Sequence, residues 1–194
     1  MVSVKRMNDF STSRRNEIAR VFVDAYYKDL SRITKDRIKL INCFQKVINK
    51  DVFYVADLAG EIGGIAACSN NHNRGLILNK DDFKKEFGFL KGMMAYSALK
   101  EDFNRQLPYS QNTCYIECVG TLSQYRGMGI ATKLIEFITS ETPYDRYVLE
   151  VSDTNKNAYR LYQKLGFKVF DKKKVRWARI KGFNETIFME WVGC

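Results

Sequence analysis

Histidine is almost missing from this sequence: His72 is the only one, and it sits in the polar loop Ser69-Asn70-Asn71-His72-Asn73-Arg74. A triad built on imidazole, or a histidine-based metal cluster, is therefore excluded, because both need a positioned ring rather than a solvated one. No metal is expected. Cysteine is scarce too. Cys43, Cys68, Cys114, Cys118 and Cys194 make an odd number, and no C-x-x-C occurs. The plain expectation is buried free thiols in a reducing cytoplasm, rather than a zinc site or a disulfide scaffold. Apolar runs are short: none reaches the roughly eighteen residues of a membrane span, so none is expected. The opening MVSVKRMNDF has no apolar h-region, which argues against a secretory signal and for a cytoplasmic protein. Internal repeats and low-complexity segments are lacking as well.

At 194 residues, one domain spanning 1–194 is the simplest organisation, with enough chain to bury a core unaided. The formal charge of +10 suits an acidic substrate, a polyanionic cofactor or nucleic acid, or serves solubility alone. A nucleic-acid reader is ranked last, since no motif with interleaved aromatics accompanies the charge.

Periodicity predicts a strand over 2–7 and a helix over 12–29, with Ile18, Ala19, Phe22, Ala25 and Tyr26 on one face. A second helix is expected over 34–48, with Ile38, Ile41, Phe44 or Gln45, and Ile48 as its apolar side. Phe22, Tyr26 and Tyr27 read as core on an amphipathic helix. Residues 52–57 and 62–68 form a hairpin around Ala59-Gly60-Glu61, and Gly63-Gly64 suggests a bulge or a close neighbour. Residues 69–112 form a helical insertion: Phe83, Phe87, Leu90 and Met94 share helical spacing, Gly88 and Gly92 interrupt it, and Pro108 ends it. It either covers the acceptor side, makes a subunit contact, or is structural decoration. Farther on, Pro143 stops a helix, 147–151 is a strand, and Asp153 or Thr154 can cap the next helix. Gly166 is placed as that helix's C′ residue. Strands follow from Phe167 and over 184–192, flanking a basic stretch from Lys172 to Lys181. That stretch reads as a solvated face or as an attractor for an acidic acceptor.

The most informative stretch is Tyr115 to Thr132, YIECVGTLSQYRGMGIAT. It opens as a strand, turns through Arg126-Gly127-Met128-Gly129, and continues as a helix with Ile130, Ala131, Leu134, Ile135 and Ile138 on one face. The first N–H groups of a helix lack partners and lie at the positive end of its dipole. Glycines let an anion approach them, and no capping side chain precedes Gly127. This is a phosphate site in outline. It is neither a dinucleotide fingerprint, because Thr132 stands where a third small residue belongs, nor a Walker loop, because Thr132-Lys133 is in the wrong order. Gly120, inside the strand, points to a bulge or a close approach.

Arg126-x-x-Gly129-x-Ala131 resembles the acyl-CoA-binding motif Q/R-x-x-G-x-G/A of the GNAT acetyltransferase superfamily. Asn155-x-x-Ala158-x-x-Leu161-Tyr162-x-x-x-Gly166-Phe167 is similar to a second pattern of that family, in the right order and after an intervening strand. The specific resemblance covers about residues 114 to 170. It implies an α/β fold with a central mixed twisted sheet of six to seven strands, helices on both faces, and the helical insertion between the third and fourth strands. It further implies an acetyl-CoA-dependent N-acyltransferase that joins both substrates in one complex. The acceptor would be a small-molecule or peptide amine, contacted by Phe22, Tyr26 and Tyr27 unless these are core, and the protein a monomer or homodimer. A CoA-binding module without catalysis is the alternative.

The resemblance also implies roles. Arg126, Gly127, Met128, Gly129, Ile130 and Ala131 would meet the pyrophosphate, Val119 and Thr121 the pantetheine arm, and the Val119 amide the thioester carbonyl. Asn155 would position the pantetheine or the helix start. Tyr162 would protonate the departing thiolate, with Tyr159 as substitute; its other reading is a core tyrosine. The base for the amine is Glu117, a carboxylate in an otherwise apolar strand, or else Glu150 on the adjacent strand. The alternative for each is a salt-bridged or rim carboxylate.

Overall fold

The computed structural model describes residues 2–10, 14–176 and 178–193, without the side chain of Ile180. Residues 12 and 13 of the expected first helix, and Cys194 among the expected thiols, lie outside the described residues. The strands are β1 (Val2–Arg6), β2 (Phe53–Leu58), β3 (Glu61–Ser69), β4 (Thr113–Thr121), β5 (Arg146–Ser152), β6 (Lys168–Lys174) and β7 (Glu185–Val192). The helices are α1 (Arg15–Leu30), α2 (Arg37–Val47), α3 (Lys80–Phe87), α4 (Phe89–Phe103), α5 (Ile130–Glu141), α6 (Lys156–Lys164) and the short α7 (Ala178–Lys181). Seven strands form one sheet in the order β1-β2-β3-β4-β5-β7-β6. Only β4 and β5 run parallel; every other neighbouring pair is antiparallel.

Strand alternation divides the core between the two faces. Phe53 and Val55 of β2 face one way and join Ile18, Phe22, Phe44 and Phe83 beneath α1–α4. Tyr54 and Ala56 face the other way and join Leu134, Ile135, Ile138 and Tyr162 beneath α5 and α6. This is the mixed sheet with helices on both faces that the sequence predicts, with α3 and α4 inserted between the third and fourth strands. Among the described residues, no helix is long and apolar enough to cross a membrane.

Two apolar faces differ from expectation. In α2 the buried side is Leu40, Cys43, Phe44 and Val47, while Ile38 is exposed. The 40/43/44/47 spacing satisfies the helical period as well as the predicted one, and packing selects it. In the insertion, Phe83 is buried but Leu90 and Met94 are exposed. Gly88, at φ 82°, breaks the expected helix in two, and α4 restarts in a new phase. A Cβ on Gly92 would lie 2.5 Å from the Phe83 carbonyl oxygen, so this glycine lets α4 cross against the backbone of α3.

Gly64 plays the same part for the site. A Cβ there would lie 2.5 Å from Ile130 Cγ2, so the glycine lets the start of α5 press onto β3. The side chain of Ile130 is thereby anchored while the turn before it stays at the surface.

Candidate active site

The central strand parts from its parallel neighbour. β4 pairs with β5 only over Thr113–Ile116, against Arg146–Leu149. Just beyond, the register with β3 slips: Ala67 faces Glu117, but Ile65 faces Gly120. The extra residue is accommodated where Cys118 takes φ 57°, a left-handed backbone that side chains seldom adopt. The bulge therefore lies at Cys118, two residues before the glycine that suggested it. Gly120 has the other role foreseen for it: a Cβ there would lie 2.7 Å from Ala25 Cβ, so it admits α1 against β4. The bend splays β4 from β5 and opens a cleft of about 910 Å³. Val119, Asn155, Tyr162, Glu117 and Glu150 all line it.

After β4 the chain makes a short 3-10 turn, Ser123–Tyr125. Asp24 of α1 accepts bonds from both the Ser123 amide (2.8 Å) and its hydroxyl (2.9 Å), fixing where the turn begins. Arg126, Gly127, Met128 and Gly129 follow at the surface. Gly127 (φ 82°) and Gly129 (φ 75°) are left-handed, and a Cβ on either would project into open space. Gly129 is the N-cap of α5, and no side chain caps it. The amides at Ile130 and Ala131 thus begin a helix without a protein acceptor at its end. Thr121 lies in the part of β4 that β5 leaves unpaired, opposite Gly64.

The α6 segment carries Tyr162 into the cleft. Asn155 is the N-cap, its side chain accepting from the Ala158 amide at 3.2 Å. The expected caps do other work, because the N-cap falls two residues after Asp153 and one after Thr154: Asp153 accepts from the Asn184 amide, and the Thr154 hydroxyl meets that of Ser152. At the far end, Gly166 N–H donates to the Gln163 carbonyl and Phe167 N–H to the Tyr162 carbonyl. With Gly166 at φ 88°, this is a Schellman closure, and the rings of Tyr162 and Phe167 sit 6.1 Å apart across it. Tyr162 is 7% exposed, and burial pushes its phenol up to about 12. It therefore holds its proton at neutral pH. Among the described residues, its hydroxyl has no hydrogen-bond partner.

The two carboxylates sit differently. Glu117 is engaged on all sides: Arg74 donates from Nε (3.2 Å) and Nη2 (2.8 Å), Ser69 from its hydroxyl (2.6 Å) and Gly75 from its amide (2.8 Å). Arg74 also donates to the carbonyls of Asp102 and Arg105, so Glu117 ties the end of α4 to the central strand. Glu150 is more open. It accepts one bond from the half-exposed Arg105 at 3.2 Å and lies beside the Tyr115 hydroxyl. Burial, and then Glu150, raise Tyr115 far above the usual phenol range.

Several site residues escaped the sequence reading or were left open by it. Arg74 and Arg105 carried no local signal. Tyr26, left between core and cleft, lines the cleft, and its hydroxyl donates to the Val119 carbonyl at 3.0 Å. Phe22 is buried, and Tyr27 bonds the Lys35 carbonyl under the Arg37 guanidinium. The expectation of free thiols holds for Cys43 and Cys118, which are buried, but not for Cys68 and Cys114, which form a disulfide. Cys68 faces Ile116 across the ladder, and Cys114 is two residues along on the same face, which brings their Cα atoms to 5.6 Å. That diagonal exists only once β3 and β4 pair.

With this geometry in hand, comparisons locate the chain among known proteins. N-alpha-acetyltransferase 50 of Danio rerio is 33% identical over 76 residues, covering 37% of this chain and 45% of that protein. 5-NmdU N-acetyltransferase of Pseudomonas phage PaMx11 is 32% identical over 73 residues, covering 38% and 48%. The matched stretch thus spans less than half the length of these curated relatives. An N-acetyltransferase from Staphylococcus aureus Mu50 shares the fold with a TM-score of 0.64 at 14% identity, covering 97% of this chain and 100% of that one. The sequence profile of the Acetyltransferase (GNAT) family matches residues 15–167, and the chain belongs to that family.

Proposed function

We propose that this protein is an N-acyltransferase that moves acetyl from acetyl-CoA to a primary amine held in the same cleft. The observation that carries the reading is the uncapped start of α5 next to a splayed β4, with Tyr162 among the residues that line the slot. The residues fit the ligand: where Gly127 and Gly129 lack a Cβ there is open space, and diphosphate oxygens can reach the amides of Gly127, Gly129, Ile130 and Ala131, whereas those of Arg126 and Met128 already donate to the Ser123 and Tyr125 carbonyls at 3.4 Å. Acetyl-CoA supplies the activated acyl group.

The chain's own groups supply position and protons. Val119 and Thr121 flank the pantetheine arm on the strip of β4 that β5 leaves free. The Val119 amide is the fixed donor for the thioester carbonyl, which needs no movement as charge develops. Asn155 holds the start of α6 and lines the arm's path.

Glu150 takes the proton from the amine, directly or through water. It is chosen over Glu117 because every side of Glu117 is already occupied by a donor. The neutral amine attacks, the C–N bond forms as the C–S bond breaks, Tyr162 gives its proton to the departing sulfur, and the second proton shed by the new amide nitrogen passes through water to restore the phenol. An α-amine needs less help than a lysine, since it loses its proton more readily.

Thermal unfolding with acetyl-CoA, against NADH and ATP as controls, tests the cofactor. We expect a rise specific to acetyl-CoA, followed by thiol release with an amine panel. A rise without thiol release from a broad panel would favour a CoA-binding module without catalysis. No rise at saturating ligand would overturn the reading.

A further inference from the structure

The charges that line the cleft are sorted by position. Two pairs neutralise each other, Arg74 with Glu117 and Arg105 with Glu150. Of the rest, the acids Asp29, Glu101 and Asp102 come from the ends of α1 and α4. The cations Lys173, Lys174, Arg176 and Lys181 come from β6 and its connection to β7. α1 packs on β3 and β4, whereas β6 is the sheet edge beyond β5 and β7. Acids and bases therefore stand on opposite sides of the splay. Among the described residues, Lys174, Arg176 and Lys181 have no carboxylate within ion-pair distance, and Lys173 meets only Asp171, at 3.6 Å.

This pattern selects for one kind of acceptor. An amine arrives as a cation and is favoured on the side of Asp29, Glu101 and Asp102, from which Arg105, just after α4, reaches Glu150 across the cleft. Lys173 and Lys174 close β6, and Arg176 and Lys181 follow in its connection to β7, so the cations are spread along the cleft wall and suit several anionic groups rather than one. A nucleic-acid strand in the same cleft would set its phosphates against the three acids as well.

Resting on the acyltransferase reading above, we infer that the acceptor is the amino terminus of a polypeptide whose following residues are acidic. Its α-amine lies in the splay, and its carboxylates run along Lys173, Lys174, Arg176 and Lys181. Lysines on an edge strand also discourage edge-to-edge pairing, and the test has to separate the two roles.

Turnover would be measured with peptides that share a first residue and continue with Asp/Glu, with Ala/Ser, or with Lys, alongside an amine-bearing DNA oligonucleotide. At low salt, kcat/KM for the acidic peptide should exceed that for the neutral one by about tenfold, and the advantage should shrink at about 0.5 M salt. Lys174→Glu combined with Arg176→Glu should reverse the order of acidic and basic peptides. Lys172→Glu changes charge on the same strand but outside the cleft lining, and it should keep the order. Equal turnover of all peptides overturns this inference and leaves the acyltransferase reading standing. So does preference for the oligonucleotide, or an equal effect of Lys172→Glu. Turnover of no acceptor overturns both.

Discussion

The Tyr26 hydroxyl donates to the Val119 carbonyl at 3.0 Å, joining α1 to β4 one residue past the bulge, across a separation of 93 residues. The bond sets the edge of the slot from the helical side. Tyr26→Phe keeps the ring and removes the bond, leaving a partly buried carbonyl unsatisfied at a cost of about 1–2 kcal/mol. We expect a slightly lower melting temperature and kcat/KM for acetyl-CoA reduced by about tenfold. Unaltered kinetics with a lowered melting temperature would make the bond purely structural.

Tyr162 is held in place by its own helix end, since the Phe167 amide that closes α6 bonds the Tyr162 carbonyl. Tyr162→Phe leaves that closure intact. If the phenol protonates the sulfur, kcat should fall by about a hundredfold while the acetyl-CoA dissociation constant stays within about twofold. Loss of affinity in step with loss of rate would instead assign Tyr162 to binding.

Legibility followed distance along the chain. The turn at Gly127 and Gly129, the start of α5, and the closure at Gly166 are local features, each announced by a glycine and a change of period. The α2 face is legible at Phe44 and Ile48, which are buried as expected, but not at Ile38, which is exposed while Leu40, Cys43 and Val47 are buried; the local period fits both phases, and packing selects one. Gly120 signals a bulge or a close approach; the close approach of α1 is its role, while the bulge falls at Cys118, a residue type that gives no such signal. The bonds that define Glu117 come from Ser69, Arg74 and Gly75, more than forty residues away, and leave no trace near it in sequence.

Glu117 and Glu150 should separate by assay. Glu117→Gln breaks a buried ion pair and strands Arg74, so it should lower stability by roughly 3–5 kcal/mol. Glu150→Gln breaks only a half-exposed pair and should barely move the melting temperature. Its turnover at neutral pH should drop by about ten- to a hundredfold and recover as pH rises and more amine is neutral. A loss confined to Glu117→Gln, without destabilisation, would return the base to Glu117.

At Gly129 the backbone stands at φ 75° with open space beyond it. Gly129→Glu fills that space with a negative charge at the mouth of α5. Acetyl-CoA binding, read by calorimetry, should be lost, whereas circular dichroism should keep the helical signal. Ordinary affinity in this variant would remove the pyrophosphate from the α5 terminus.

Alkaline unfolding checks the burial of Tyr162. Its folded phenol titrates near 12, above the roughly 10 of an unfolded one, so between those values the unfolded chain has lost a proton that the folded chain keeps. Below pH 10 both states hold the proton and the group adds no pH dependence. Between about 10 and 12 it should lower stability by about 1.4 kcal/mol per pH unit. Tyr26 and Tyr115, also raised by burial, add slopes of the same sign. The buried thiols of Cys43 and Cys118, raised in the same way, lower stability from about pH 9 in both proteins, so Tyr162→Phe should track the wild type up to pH 10 and then fall less steeply. Identical slopes would mean that Tyr162 ionises in the folded protein as it does in the unfolded chain, and that the cleft admits water to its hydroxyl.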